Sequence, residues 1–176
     1  VTASRPGGRR LVLLRHAKAE PGGNVPDQLR PLAMTGRRQC VDVGVRLATG
    51  GLVPEHVLVS SAVRTRQTWD LVRQSLGDVP EPEVVVTDEL YDAGPRDVMA
   101  LLHGIDERVA TVLVVGHEPT MSVAAALLAD PTPPVGDLGQ LHAGLPTAGY
   151  AVLELSDWAG VARSALRLLE VVRPPR

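Results

Sequence analysis

The chain is predicted to fold as an α/β three-layer sandwich, with a mostly parallel central sheet flanked by helices and one edge that can pair antiparallel. Three observations predict it. Apolar runs at 11–15, 56–60, 83–87 and 111–116 alternate with amphipathic helical patterns. These runs are continuous rather than alternating, as expected of parallel strands covered on both faces. The last two strand-like runs, AGYAVLELS and SALRLLEVV, are separated only by a short segment containing DWAG, too short for a helical crossover, so they can pair antiparallel.

Each element has its own signals. LVLLR (11–15) is the first strand and PGGNVPDQLRP (21–31) a loop. A helix comes next, with Thr35 as N-cap. Its apolar residues Cys40, Val43, Leu47 and Ala48 share one face, and Gly50-Gly51 end it. HVLVS (56–60) is the second strand. The next helix takes Ser61 as N-cap and Leu71, Val72 and Leu76 as its face. EVVVT (83–87) is the third strand, PRDVMALLHG (95–104) a helix, and TVLVVG (111–116) the fourth strand. PTMSVAAALLA (119–129) is a helix with Pro119 at its start. Residues 130–147, rich in Pro and Gly, read as a loop; strands over 148–156 and 164–172 complete the chain.

Composition bounds the function. With 176 residues, 44% hydrophobic and 22% charged, the chain suits one folded domain over 11–176 behind a disordered lead-in, VTASRPGGRR, at 1–10. A net charge of −2 supplies no general field for nucleic acid or anionic lipid. Two Trp, two Tyr and no Phe leave few platforms for stacking bases. No apolar run approaches membrane-spanning length, and the lead-in lacks the apolar region of a signal peptide. Neither a nucleic-acid nor a membrane partner is expected. The single cysteine, Cys40, excludes an internal disulfide and a Cys-rich zinc site, reads as a packed core residue, and fits a reducing, cytoplasmic setting.

The residues just past each strand are informative, because ligands of open α/β sheets lie beyond the strands' carboxyl ends. After the first strand come Arg15 and His16; after the second, Arg64 on the first turn of a helix; after the fourth, His117 at another helix start. Singly, each has a bland reading: a surface arginine, a capping histidine. Delivered together to one edge, they describe a phosphoryl site. Arginine forks match phosphate oxygens, and helix N-termini add N–H donors. A neutral imidazole can attack phosphorus, and neighbouring arginines disfavour imidazolium at His16. His56, His103 and His142 read as structural, and Lys18 as solvent-facing. The pair His117-Glu118 lacks the second histidine of a zinc protease, since residue 121 is Met121.

With these residues the chain resembles the histidine phosphatase superfamily, the phosphoglycerate-mutase-like phosphatases. LLRHAKA resembles its Arg-His-Gly signature, LVSSAVRTRQT its second motif and VVGHEPT its Gly-His pair, in the family's order. DQLRPLAMTG (27–36) looks like the Arg-Pro-Leu-x-x-x-Gly segment of the small SixA-like phosphohistidine phosphatase branch. The resemblance spans roughly residues 11–130. It implies that His16 is transiently phosphorylated, that Arg15, Arg64 and His117 complete the phosphate pocket, and that Arg30 reaches in from its loop. It implies no metal and no cofactor.

The pattern departs in places. Ala17 stands where the family usually has Gly. Ala19, Glu20 and Pro21 replace the Thr and Asn that larger members carry. Glu89 and Glu118 are the candidate proton donors, neither within a clear family match. A phosphoramidate's imidazole leaves more easily than an alcohol and has less need of an acid. Residues 61–110 leave no room for a large helical lid, and an open site suits a phosphate displayed on a protein. The expected function is therefore a metal-independent phosphatase acting through phospho-His16 on phosphohistidine in a protein. The alternatives are a phosphomonoesterase of sugar or nucleotide phosphates and, in another class, a non-catalytic phosphate-binding adaptor.

Overall fold

The structure is a computed structural model and describes residues 8–131 and 135–174. Its strands are β1 (Arg9–Arg15), β2 (His56–Ser60), β3 (Glu83–Thr87), β4 (Thr111–Gly116), β5 (Tyr150–Leu155) and β6 (Arg167–Val172). Its helices are α1 (Met34–Thr49), α2 (Val63–Ser75), α3 (Pro95–His103), α4 (Thr120–Leu128) and α5 (Val135–His142). Two single 3₁₀ turns, Asp27–Leu29 and Asp88–Leu90, interrupt the loops.

The sheet order is β3-β2-β4-β1-β5-β6. β3, β2, β4 and β1 pair in parallel, β5 runs antiparallel to β1, and β6 antiparallel to β5. The parallel sheet with one antiparallel edge is as the sequence predicts. Alternation along β1 explains why its run is apolar throughout. Leu11 and Leu13 face a core built with α3 and α4, including Val98, Leu102, Met121 and Leu128. Val12 and Leu14 face a second core with α1 and α2, including Cys40, Val43, Leu47, Trp69 and Val72. Helices therefore cover both faces, the three-layer arrangement. β3 is the exception among the parallel strands: as the edge strand it leaves Val84, Val85 and Val86 exposed.

Local corrections have physical causes. The N-cap of α1 is Ala33, not Thr35; the Ala33 N–H donates to Lys18 O at 2.9 Å and fixes that residue as extended backbone. The N-cap of α2 is Ala62, not Ser61, whose hydroxyl donates instead to Asp88. The 130–147 segment contains α5, whose Leu141 is buried and whose Leu138 packs on the same core. The lead-in expected over 1–10 lies outside the described residues up to 7. Its end is already strand, since Arg10 pairs with Thr111 in register and with Glu154 at 2.7 Å.

Residues 61–110 hold only α2, β3, the Asp88–Leu90 turn and α3, so no large helical lid covers the sheet's carboxyl edge. Among the described residues no helix is long and apolar enough to cross a membrane.

Candidate active site

The carboxyl edge begins at Arg15, the last residue of β1, and the backbone after it is pinned residue by residue. His16 N–H donates to Gly116 O at 3.0 Å and Ala17 N–H to Thr68 Oγ1 at 3.1 Å. Lys18 N–H donates to Gln39 Oε1 at 3.0 Å. Ala17 is fully buried, so a small residue is required there. Gly36 of α1 lies so close that a Cβ would stand 2.1 Å from Lys18 O. This contact accounts for the glycine closing the 27–36 motif.

His16 is 9% exposed. Its Nδ1 lies 2.8 Å from Ala17 O, and since a carbonyl can only accept, Nδ1 carries the proton. Nε2 is then the lone-pair nitrogen, and Arg64 Nε donates to it at 3.3 Å. Burial, above all, lowers the His16 pKa to about 3, with the charges of His117, Arg64 and Arg15 adding to it. The neutral state expected from the sequence is thus reached, with desolvation as the leading cause ahead of the arginines.

His117 stands against His16, ring centroids 5.3 Å apart and edge-on. Arg64 Nη2 donates to its Nδ1 at 3.3 Å, so Nε2 holds the proton and donates to Ser60 Oγ at 2.7 Å. Burial and then the Arg64 charge lower the His117 pKa to about 4. Arg64, itself 5% exposed, is the hub of the site. Arg15 Nη1 donates to Leu145 O at 2.7 Å, while its buried Nε has no partner among the described residues. The fields of Arg15 on both histidines place it in the same cluster.

Arg30 joins indirectly. Its Nε donates to Asp27 Oδ1 at 2.9 Å, and Asp27 Oδ2 accepts from Arg64 Nη2 at 3.0 Å. Arg64 Nη1 also donates to Asp27 O at 2.7 Å. Tyr91 Oη donates to Asp27 Oδ2 at 2.7 Å. That hydrogen bond first, then those of Arg64 and Arg30, hold the Asp27 pKa down at about 2. Sequence reasoning misses Asp27, Tyr91 and Ser60. A carboxylate three residues before Arg30 is the only signal that could have found Asp27.

Neither candidate acid is hydrogen-bonded to Arg64, His16 or His117 among the described residues, although the Glu118 charge acts on Arg15. Glu118 accepts from Ser122 N–H at 3.1 Å and Ser122 Oγ–H at 2.6 Å, bracing the first turn of α4. Glu89 is exposed in its 3₁₀ turn. Two other histidines fall where structure explains them: His56 on Glu83 at 3.2 Å and His103 on Val161 O at 2.7 Å. Cys40 is buried, its thiol pushed up to about 12, and it packs in the second core.

No family model matches the chain. An uncharacterised protein of Mycobacterium tuberculosis is 35% identical over 150 residues, covering 84% of this chain and 91% of that one. Among solved structures, a protein of Nakamurella multipartitia assigned as phosphohistidine phosphatase SixA is 34% identical. It covers 96% of this chain and 97% of its own length, with a TM-score of 0.81. The chain belongs to the histidine phosphatase superfamily. Within it, the likeness is to the small SixA-type members. A second one, the protein histidine phosphatase SixA complexed with tungstate, is 26% identical with a TM-score of 0.75, covering 93% of this chain and 96% of that one. This histidine phosphatase therefore combines a phosphatase fold with a neutral histidine and a buried arginine at the sheet's carboxyl edge.

Proposed function

We propose that the protein removes the phosphoryl group from phosphohistidine on a partner protein, through a phosphorylated His16. One observation carries the reading: the His16 proton is held on Nδ1 by Ala17 O at 2.8 Å, which leaves Nε2 unprotonated and able to attack once the phosphoryl group draws away the Arg64 N–H that faces it at 3.3 Å. His16 Nε2 bonds to phosphorus, the substrate imidazole departs, and water then releases phosphate from His16. Arg15 and Arg64 neutralise the phosphoryl oxygens as charge builds, while His117, its one N–H held by Ser60, packs edge-on against His16. Arg30 supports Arg64 through their shared carboxylate. Support for a protein-borne substrate comes from the absence of a large lid, from the SixA-type relatives, and from candidate acids that make no hydrogen bond to Arg64 or the two histidines among the described residues.

The test is phosphate release, with chelator present, from a histidine-phosphorylated carrier protein and from sugar and nucleotide phosphates in parallel. The carrier should be cleaved much faster, and a His16→Ala variant should lose turnover on every substrate. Faster cleavage of one ester would replace the proposed substrate; full activity of His16→Ala would sink the mechanism.

A further inference from the structure

We propose that Asp27 reads the leaving group: its carboxylate accepts the distal ring N–H of the departing imidazole and so favours phosphohistidine over phosphate esters. The inference rests on the reading of His16 and its substrate given above.

The Asp27 side chain is 54% exposed, whereas His16 is 9% exposed, and one guanidinium, that of Arg64, touches both. A phosphoryl group entering the site has His16 on its inner side. Its leaving group, attached to the partner protein, stays at the mouth, where Asp27 lies.

A carboxylate offers about four lone-pair sites. In the free enzyme Asp27 Oδ1 accepts from Arg30 Nε at 2.9 Å and is ion-paired with Arg30 Nη2 at 2.9 Å. Oδ2 fills both of its sites, accepting from Arg64 Nη2 at 3.0 Å and Tyr91 Oη at 2.7 Å. A phosphoryl oxygen bound by Arg64 draws that N–H away from Oδ2. The vacated site then takes the imidazole N–H. Phosphoryl entry and leaving-group recognition are coupled through one side chain.

The titratable groups facing Asp27 come from each neighbouring element. They are the cationic Arg64 of α2 and Arg30 after the 27–29 turn, the Tyr91 hydroxyl after the 88–90 turn, and the neutral His117 before α4. Asp88 lies one step away, through Gln28 Nε2 at 3.5 Å. Together they keep Asp27 ionised throughout the neutral range. It cannot donate a proton and can accept a hydrogen bond. Phosphohistidine protonated on its distal ring nitrogen fits that acceptor. As His16 Nε2 bonds to phosphorus, the P–N bond breaks and its electron pair passes to the departing nitrogen. The cationic ring leaves as neutral imidazole with its distal N–H still on Asp27, and no proton moves. An ester oxygen departs with negative charge and brings no N–H, so the same carboxylate opposes it.

The experiment compares kcat/KM for a histidine-phosphorylated carrier and for p-nitrophenyl phosphate, across pH, in wild type, Asp27→Asn and Tyr91→Phe. For Asp27→Asn the carrier-to-ester ratio should fall about tenfold or more, the scale of a hydrogen bond to a charged group. The alkaline limb of its carrier profile should move to lower pH, since the imidazolium is no longer held. Tyr91→Phe keeps the carboxylate and frees a lone pair, so the ratio should hold or rise. An equal loss on both substrates in Asp27→Asn with the limb unmoved, or a tenfold fall in the ratio in Tyr91→Phe, would overturn the inference. A wild type that prefers the carrier while Asp27→Asn keeps the ratio defeats this inference alone. A wild type that cleaves the ester but not the carrier defeats the substrate reading and the inference with it.

Discussion

Gly36→Ala is the sharpest test of how the site is held. The added Cβ would lie 2.1 Å from Lys18 O and 2.9 Å from Lys18 C and N. Ordinary contact begins near 3.4 Å, so α1 and the 15–18 segment must part by about 1.3 Å. The obstacle is backbone, not the end of a flexible side chain. Lys18 is anchored on both sides, by its N–H to Gln39 and its carbonyl to Ala33, so the strain passes toward His16 two residues away. Overpacking of this kind costs about 1–3 kcal/mol of stability. A displacement of about 1 Å at reacting groups costs on the order of 100-fold in rate. The assay is kcat/KM on p-nitrophenyl phosphate beside a thermal melt. Activity should fall at least tenfold with the fold retained. A variant within twofold of wild type, melting at the same temperature, would refute the reasoning that this contact positions His16.

The same geometry sets other outcomes. Arg64→Ala removes donors to His16, His117 and Asp27 together and should lower kcat/KM by about 100-fold or more; steady-state kinetics on both substrate classes would show it. The depressed His16 pKa makes stability depend on pH. The unfolded chain binds the proton near 6.5 and the folded one only near 3, so stability is full above 6.5 and lost as pH falls between these values. At pH 5 the loss from His16 is about 2 kcal/mol, and denaturant melts of wild type against His16→Gln should show a shallower decline in the variant. Glu89→Gln and Glu118→Gln should each keep carrier hydrolysis within about threefold of wild type. A loss beyond tenfold in either would restore that residue as an acid.

The strands were legible because the sheet is covered on both faces, which turns β1, β2 and β4 into unbroken apolar runs. EVVVT was legible for another reason: its valines stand exposed at the sheet edge, and β-branching alone marked the strand. Gly139 and Gly144 fall within the Leu138, Leu141, Leu145 spacing, in a segment rich in Pro and Gly, and so hid α5. His16, Arg64 and His117 could be read because each lies just past a strand. Asp27 could not. Its partners Arg64 and Tyr91 lie 37 and 64 residues away, and pairing between loops leaves no periodic trace.

The site separates two protonation states by burial. Deep in the edge, desolvation, helped by nearby positive charge, keeps His16 and His117 neutral. At the mouth, hydrogen bonds from Tyr91, Arg64 and Arg30 keep Asp27 ionised in water. Arg64 bridges the two zones, and its charge acts in one direction on both, disfavouring imidazolium and favouring carboxylate. On the proposed reading, a histidine that needs no base therefore sits behind a carboxylate that supplies no proton. That combination suits a bond whose leaving group carries its own proton, as phosphohistidine does. An alcohol leaving group would call for a protonated acid at the mouth, where this fold has placed a carboxylate held far below neutrality.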